Sequence, residues 1–230
     1  MSAATAPPSK IAVVVPAHNE AGRVSATIRA LTSMSRIGEV IVVDDGSTDD
    51  TAIEAERAGA RVIRLTRNEG KGRALDAGTA ATTADIVLLA DADLETSAGN
   101  LGVLLDAIEQ GRADVAIAAP PMAGGRSGFG IVEGLSRWGI ARLTGARMDR
   151  PLSGQRAARS EVIRAVGGFA PRFGAETAFT VDAVRAGYRV VEVPCEIRHA
   201  RTGRDPAGFA HRARQGLDVA RALATRWRRR

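Results

Sequence analysis

The chain has 230 residues, 45% of them apolar and 3% aromatic, and a formal net charge of +6. That length suits one large α/β domain, or one domain with a small appendage, with a core built from Val, Ile, Leu and Ala. A membrane span is not expected, because no apolar run approaches ~18 residues; nor is a secretory signal in residues 1–9, nor an internal disulfide, because Cys195 is the single cysteine.

Residues 1–9 are expected to be disordered and Cys195 to be a buried, inert thiol. Residues 10–15 are apolar and β-branched and stop at Pro16, which predicts a buried strand. A helix is expected over residues 21–34 and a second strand over 39–43. After Asp44-Asp45-Gly46, a helix capped by Ser47 or Thr48 runs to about residue 59. Further strands are expected at 61–65, 85–90 and 114–118, with helices at 72–81 and 101–110. This βα alternation predicts a doubly wound, mostly parallel sheet covered on both faces.

The texture changes after Pro120. Residues 120–130 hold four Gly and two Pro and read as a loop able to close over a ligand. A helix follows over 131–144, with Ile131, Leu135, Trp138 and the stem of Arg142 on its apolar face. A late strand lies at 188–193, and a basic helix at 207–227 carries Phe209, Leu217, Ala220, Leu223 and Trp227 near one side. Residues 201–230 hold nine Arg and two Asp, a charge of +7, so the first 200 residues sum to −1. The expected organisation is a first half over 10–119, a second half of the same domain over 120–200 and a basic C-terminal helix over 201–230.

Asp91-Ala92-Asp93 ends the fourth strand. Two carboxylates there can meet a hard divalent cation, since Mg²⁺ and Mn²⁺ take oxygen ligands and Mg²⁺ needs few from protein when phosphates are present. Ligands of open α/β sheets bind at the carboxyl ends of the strands. Asp44 or Asp45 can accept hydrogen bonds from a nucleobase N–H or a ribose hydroxyl. Lys71, one of only two lysines, lies between Gly70 and Gly72, where the backbone can approach closely and an ammonium can meet a diphosphate.

Four segments occur in order: Val14-Val15-Pro16-Ala17-His18-Asn19-Glu20, Val43-Asp44-Asp45-Gly46-Ser47-Thr48-Asp49, Asn68-Glu69-Gly70-Lys71-Gly72 and Asp91-Ala92-Asp93. Together they resemble the GT-A nucleotide-sugar glycosyltransferases of family 2. The resemblance implies nucleoside binding by Pro16, Ala17, Glu20 and Asp44, and diphosphate binding by Lys71. It implies a Mg²⁺ or Mn²⁺ ion on Asp93 and His199, with Asp91 on the ribose or on the metal through water. The donor is expected to be a UDP- or GDP-sugar.

The block Arg150-Pro151-Leu152-Ser153-Gly154-Gln155-Arg156-Ala157, with Glu176-Thr177 beyond it, resembles the acceptor half of glucosyl-3-phosphoglycerate synthases. More loosely, it resembles polyprenyl-phosphate sugar synthases. This implies acceptor binding by Ser153 and Gly154 and a catalytic acid at Glu176 beside the reacting sugar. The common family-2 Glu-Asp pair is replaced by Glu176-Thr177, which leaves no dedicated base. A phosphate acceptor is already ionised and needs none. It needs cations, which Arg126, Arg150, Arg156 and Arg198 can supply.

The expected function is metal-dependent transfer of a sugar to a phosphorylated acceptor, a polyprenyl phosphate or soluble 3-phosphoglycerate. The alternative is a non-catalytic sugar-nucleotide-binding protein. A nucleotidyltransferase would carry a Gly-rich signature after its first strand, which Pro16–Glu20 is not. The basic helix reads either as a peripheral membrane contact on the inner face or as core packing and a homodimer surface. Nucleic acid is not an expected partner. The expected compartment is the cytoplasm.

Overall fold

The computed structural model describes residues 10–121, 130–170, 174–198 and 206–228, with the backbone alone over 206–214. The first half alternates β1 (Ile11–Ala17), α1 (Val24–Thr32), β2 (Glu39–Asp44), α2 (Thr51–Arg57), β3 (Arg61–Arg64), α3 (Lys71–Ala80) and β4 (Ile86–Leu89). A 3-10 turn over Glu95–Leu101 leads into α4 (Gly102–Glu109) and β5 (Val115–Ala119). The second half comprises α5 (Gly130–Thr144), β6 (Arg156–Arg159), α6 (Ser160–Ala165), α7 (Ala175–Arg185), β7 (Val190–Pro194) and α8 (Pro206–Trp227).

The seven strands form one sheet in the order β3-β2-β1-β4-β6-β5-β7. β1 pairs in parallel with β2 and β4, β2 with β3, and β5 with β7. β6 runs antiparallel between β4 and β5. The expected α/β sheet is therefore present, as a GT-A-like sheet with one reversed strand.

Strand periodicity splits the core into two layers. Val13, Val15, Val42 and Leu88 pack with Ile28, Leu31, Leu104 and Ile108 on one face. Val14, Ile41, Val43 and Leu89 pack with Leu75, Phe169 and Phe179 on the other. A Cβ at Gly78 would stand 2.3 Å from Cγ1 of Val14, so glycine is what lets α3 lie this close to β1. A third cluster, with Val132, Ile140, Val181, Val219 and Leu223, joins α5, α7 and α8.

Several expectations need correction. Ser47 caps no helix: α2 begins at Thr51, and the Ser47 hydroxyl accepts from the Asn19 N–H at 3.0 Å. α5 is turned relative to its expected face. Its buried residues are Val132, Ser136, Gly139, Ile140 and Leu143, while Ile131 and Trp138 are exposed. α8 is turned likewise, burying Val219, Ala222 and Leu223 and exposing Leu217 and Trp227. Strand β6 and helices α6 and α7 were not anticipated. Cys195 is buried, as expected. Residues 1–9 and most of the 120–130 loop lie outside the described residues, as do Arg126 and His199. Among the described residues, no helix is long and apolar enough to cross a membrane.

Candidate active site

The carboxyl ends of β1, β2 and β4 deliver Pro16–Glu20, Asp44–Gly46 and Asp91–Asp93 to one edge of the sheet. Because β6 is reversed, its amino end arrives at the same edge and brings Ser153, Gly154 and Gln155. The first residues of α3 and α7 add Lys71 and Glu176.

Backbone ties fix the segments that follow β1 and β2. The Asp45 N–H donates to the Ala17 carbonyl at 2.8 Å. Both carboxylate oxygens of Asp45 are engaged, accepting from the backbone N–H of Glu69 at 2.7 Å and of Gly70 at 2.8 Å. Asp45 is thus a clamp that presents Lys71. Asp44 accepts from the Ser47 N–H at 3.0 Å through Oδ1. A Cβ at Gly46 would lie 2.5 Å from the backbone of Arg67 at a φ of +68°, so this turn requires glycine. His18 Nδ1 donates to the Asp45 carbonyl at 2.9 Å.

The Asp91–Asp93 turn is pinned by a residue that sequence reasoning missed. Thr27 on α1 is fully buried; its hydroxyl donates to the Ala92 carbonyl at 2.8 Å and accepts from the Glu95 N–H at 2.8 Å. Glu20 completes an acidic mouth. Burial raises its carboxyl above the ordinary glutamate range against the pull of Arg23, and the charges of Asp93 and Asp91 push it further up. Carboxylates are the oxygen donors that Mg²⁺ and Mn²⁺ prefer, but both oxygens of Asp91 are already engaged by Lys71 and Gln155. The described residues hold no cluster of three His, Cys, Asp or Glu arranged around one ion point. A divalent ion here would take its remaining ligands from substrate phosphate or water.

Lys71 occupies the centre. Its ammonium lies 2.8 Å from Oδ1 of Asp91 and 2.9 Å from Oε1 of Glu176. Burial disfavours that ammonium, but the two carboxylates outweigh it and hold its pKa above the usual lysine range. Gln155, also missed from the sequence, is buried and donates to Oδ2 of Asp91 at 2.6 Å. A Cβ at Gly154 would stand 2.5 Å from Nζ of Lys71 and 3.0 Å from Oδ2 of Asp91. Glycine is what admits the lysine there.

Arg156 departs from expectation. Its guanidinium is fully buried and donates to the carbonyls of Ser153 at 2.6 Å and Glu176 at 3.2 Å and to Oγ1 of Thr180 at 3.4 Å. It offers no surface to an acceptor; it ties the loop before β6 to the first turn of α7. Burial lowers its pKa, against the charges of Glu176 and Asp91. Lys71, Asp91, Gln155, Ser153, Arg156 and Glu176 thereby close a ring of polar contacts. Arg150 is partly buried and faces Glu133 at 3.3 Å. Thr177 is fully buried and shares a 2.7 Å hydrogen bond with Ser136; as a hydroxyl it offers no carboxylate base at this position.

This sheet, with its strand-end motifs, is that of a nucleotide-sugar glycosyltransferase of GT-A fold. The chain belongs to glycosyl transferase family 2, whose model matches residues 12–142. It is 34% identical over 184 residues to an uncharacterized glycosyltransferase of Mycobacterium tuberculosis, covering 80% of this chain and 83% of that one. It is 32% identical over 199 residues to the glucosyl-3-phosphoglycerate synthase of the same organism, covering 75% of this chain. With the undecaprenyl-phosphate 4-deoxy-4-formamido-L-arabinose transferase of Edwardsiella ictaluri it shares 32% identity over 203 residues and 83% of this chain. The match spans 60% of the length of each of those two enzymes.

Solved structures agree. The M. tuberculosis glucosyl-3-phosphoglycerate synthase with Mg²⁺ and UDP superposes with a TM-score of 0.81 at 28% identity, covering 95% of this chain and 79% of that one. The same enzyme with Mn²⁺, UDP-glucose and phosphoglyceric acid gives 0.79 at 28% identity, with the same coverage.

Proposed function

We propose that this protein transfers a sugar from a UDP- or GDP-sugar to a phosphorylated acceptor, with a divalent cation in the site. The observation that carries the reading is the position of Lys71 Nζ, shared between Asp91 and Glu176 at the carboxyl edge of the sheet. Nucleoside binding falls to Pro16, Ala17, Glu20 and Asp44. Asp45 acts behind them, through Glu69 and Gly70. Lys71 exchanges a carboxylate partner for the donor diphosphate. Asp91 orients the ribose side while Gln155 and Lys71 hold its two oxygens.

Asp93 and His199 are the residues that would hold Mg²⁺ or Mn²⁺. Bound there, the cation neutralises the diphosphate as it leaves. Glu176 faces the sugar and steers the acceptor. Ser153, Gly154, Arg150 and Arg126 form the acceptor side, and Arg156 holds that side in register from beneath. Position 177 carries a threonine where the family-2 pair has a carboxylate, so no base is supplied there for a hydroxyl, which supports an acceptor that arrives ionised.

Two acceptors have specific support. The likeness to glucosyl-3-phosphoglycerate synthase favours a small phosphorylated carboxylate. The likeness to the undecaprenyl-phosphate transferase favours a lipid phosphate. A lipid acceptor requires work at a bilayer surface, for which the C-terminal helix is the contact; its other use is a homodimer. One assay separates them. The protein is incubated with Mn²⁺, labelled UDP- and GDP-sugars, 3-phosphoglycerate and polyprenyl phosphate, and the products are partitioned between butanol and water. Label in butanol indicates the lipid acceptor, and a new aqueous phospho-sugar the soluble one. Unchanged donor in both phases, with UDP still bound, would point to the non-catalytic alternative.

A further inference from the structure

We propose that the exposed face shared by α5 and α8 docks on an anionic phospholipid bilayer. The inference extends the lipid-acceptor branch above, but it stands on this face alone, and its test reads membrane binding rather than transfer.

α5 and α8 lie side by side. A Cβ at Gly139 would stand 2.3 Å from Leu223, and one at Gly216 would stand 3.6 Å from Val132. Their buried residues meet in the third cluster. Their outward residues are not what a solvated helix pair carries. Ile131 is 86% exposed, Trp138 59%, Leu217 56% and Trp227 41%. Gly134, Ala141, Ala220 and Ala224 are exposed between them. The two indoles stack across the helix boundary, with ring centroids 6.3 Å apart and planes at 13°. The Arg142 guanidinium lies 5.1 Å from the Trp227 ring centroid.

The charge on this face has one sign. Glu133 and Asp218 are the only acids in the two helices. Both point inward: Glu133 pairs with Arg137 and Arg150, and Asp218 with Arg221. The exposed charged side chains are Arg142, Arg221, which also pairs with Asp218 at 3.5 Å, and Arg228 just beyond α8. Indole rings sit at the headgroup level of bilayers, and interfacial helices place cations beside an apolar strip. A second copy of this chain would suit the apolar residues but not the charge. A two-fold contact sets like surface against like, and no exposed acid on α5 or α8 among the described residues would receive the arginines. Anionic lipid presents the opposite charge over a plane.

The inner side of α8 is also close to the chemistry. A Cβ at Gly174 would lie 2.9 Å from the Asp218 carbonyl and 2.9 Å from Ala222. α8 therefore backs onto the amino end of α7, the turn that carries Glu176.

The test is sedimentation of the full chain with vesicles of equimolar phosphatidylglycerol and phosphatidylcholine, against pure phosphatidylcholine. The chain has two tryptophans and both lie here, so their emission reports this face directly. The expected result is pelleting with the anionic vesicles alone, weakened by salt, with a blue-shifted emission. Two double variants, Ile131→Ser with Leu217→Ser and Arg142→Gln with Arg221→Gln, alter exposed side chains and keep both indoles. Each is expected to bind roughly tenfold more weakly at an unchanged melting midpoint. Several results would overturn the proposal: emission unmoved by anionic vesicles, equal pelleting with pure phosphatidylcholine, or binding that survives both double variants. So would a concentration-dependent dimer whose emission shifts without lipid, since it would make the occupant a second copy. Vesicle binding without sugar transfer would leave the docking face standing and remove the transferase reading.

Discussion

Nζ of Lys71 and Oε1 of Glu176 stand 2.9 Å apart, joining the first residue of α3 to the first turn of α7 across the mouth of the site. The same ammonium serves Asp91, so a donor diphosphate must compete for it. Lys71→Met keeps the stem but leaves two carboxylates facing each other. The expected cost is about 3 kcal/mol of stability and a fall in turnover of roughly 10²-fold or more. Melting curves and steady-state turnover check it; turnover within twofold of wild type would remove Lys71 from the mechanism.

Asp93 is tested by the opposite pattern. Its turn is held by Thr27 through backbone atoms, so the turn does not depend on the Asp93 side chain alone for its shape. Asp93→Ala is expected to abolish transfer and any Mn²⁺ stimulation with circular dichroism unchanged. Undiminished turnover would mean that the cation sits elsewhere.

Gly154→Ala isolates a single steric contact. The new methyl would lie 2.5 Å from Nζ of Lys71, the far end of a movable side chain. The fold should absorb it and the ammonium should not keep its place. A turnover loss of about tenfold is expected with a melting midpoint near wild type. A large drop in midpoint would show that the loop, not the lysine, gave way.

Arg156→Lys keeps a buried charge but not the guanidinium that spans Ser153, Glu176 and Thr180. Two carbonyls lose a donor in a buried site, at about 1–3 kcal/mol each at most. Because the nucleotide side is built from other elements, UDP affinity by calorimetry should hold while kcat falls. Parallel losses in both would reduce Arg156 to a purely structural part.

Much of the first half of the sheet is legible in the sequence because its strands are continuous apolar runs with acids at their ends, a pattern that buried parallel strands force. The second half is not. β6 reads Arg-Ala-Ala-Arg, too short and too polar-ended to announce a strand, and only its pairing between β4 and β5 makes it one. Arg156 was read as a surface cation because arginines are rarely fully buried; a carbonyl-lined slot beneath α7 overrides that rule. Asp45 was a candidate for nucleoside contact, yet two backbone amides claim it. For α5 and α8, apolar residues lie on both sides of each helix, so periodicity alone could not say which side faces the core.

Asp114 governs an acid sensitivity remote from the site. Burial raises its carboxyl, but hydrogen bonds from the Arg189 N–H and side chain, with the charges of Arg189 and Arg159, hold it below the ordinary aspartate range. A depressed folded pKa means stability that is present above the unfolded value of about 3.9 and lost as the pH falls through the folded one. Asp114→Asn should therefore lower the melting midpoint at neutral pH and flatten its decline below about pH 4. A decline as steep as wild type would assign the acid sensitivity to other carboxylates.

The reversal of β6 makes the two halves of the site separable inventions. The segments that follow β1, β2 and β4 depart from the finishing end of a strand, whereas the segment before β6 arrives at the starting end of one. The chain from Ala119 to Arg156 is thus a single excursion anchored by two neighbouring strands, β5 and β6. Apart from the core face of α5 and the Ser153–Gln155 turn that holds Lys71 and Asp91, its length and composition can change without touching β1 or β2. A graft of this excursion from a relative with another acceptor, leaving Lys71, Asp91 and Glu176 in place, is the natural route to a transferase with a new recipient and an unaltered donor.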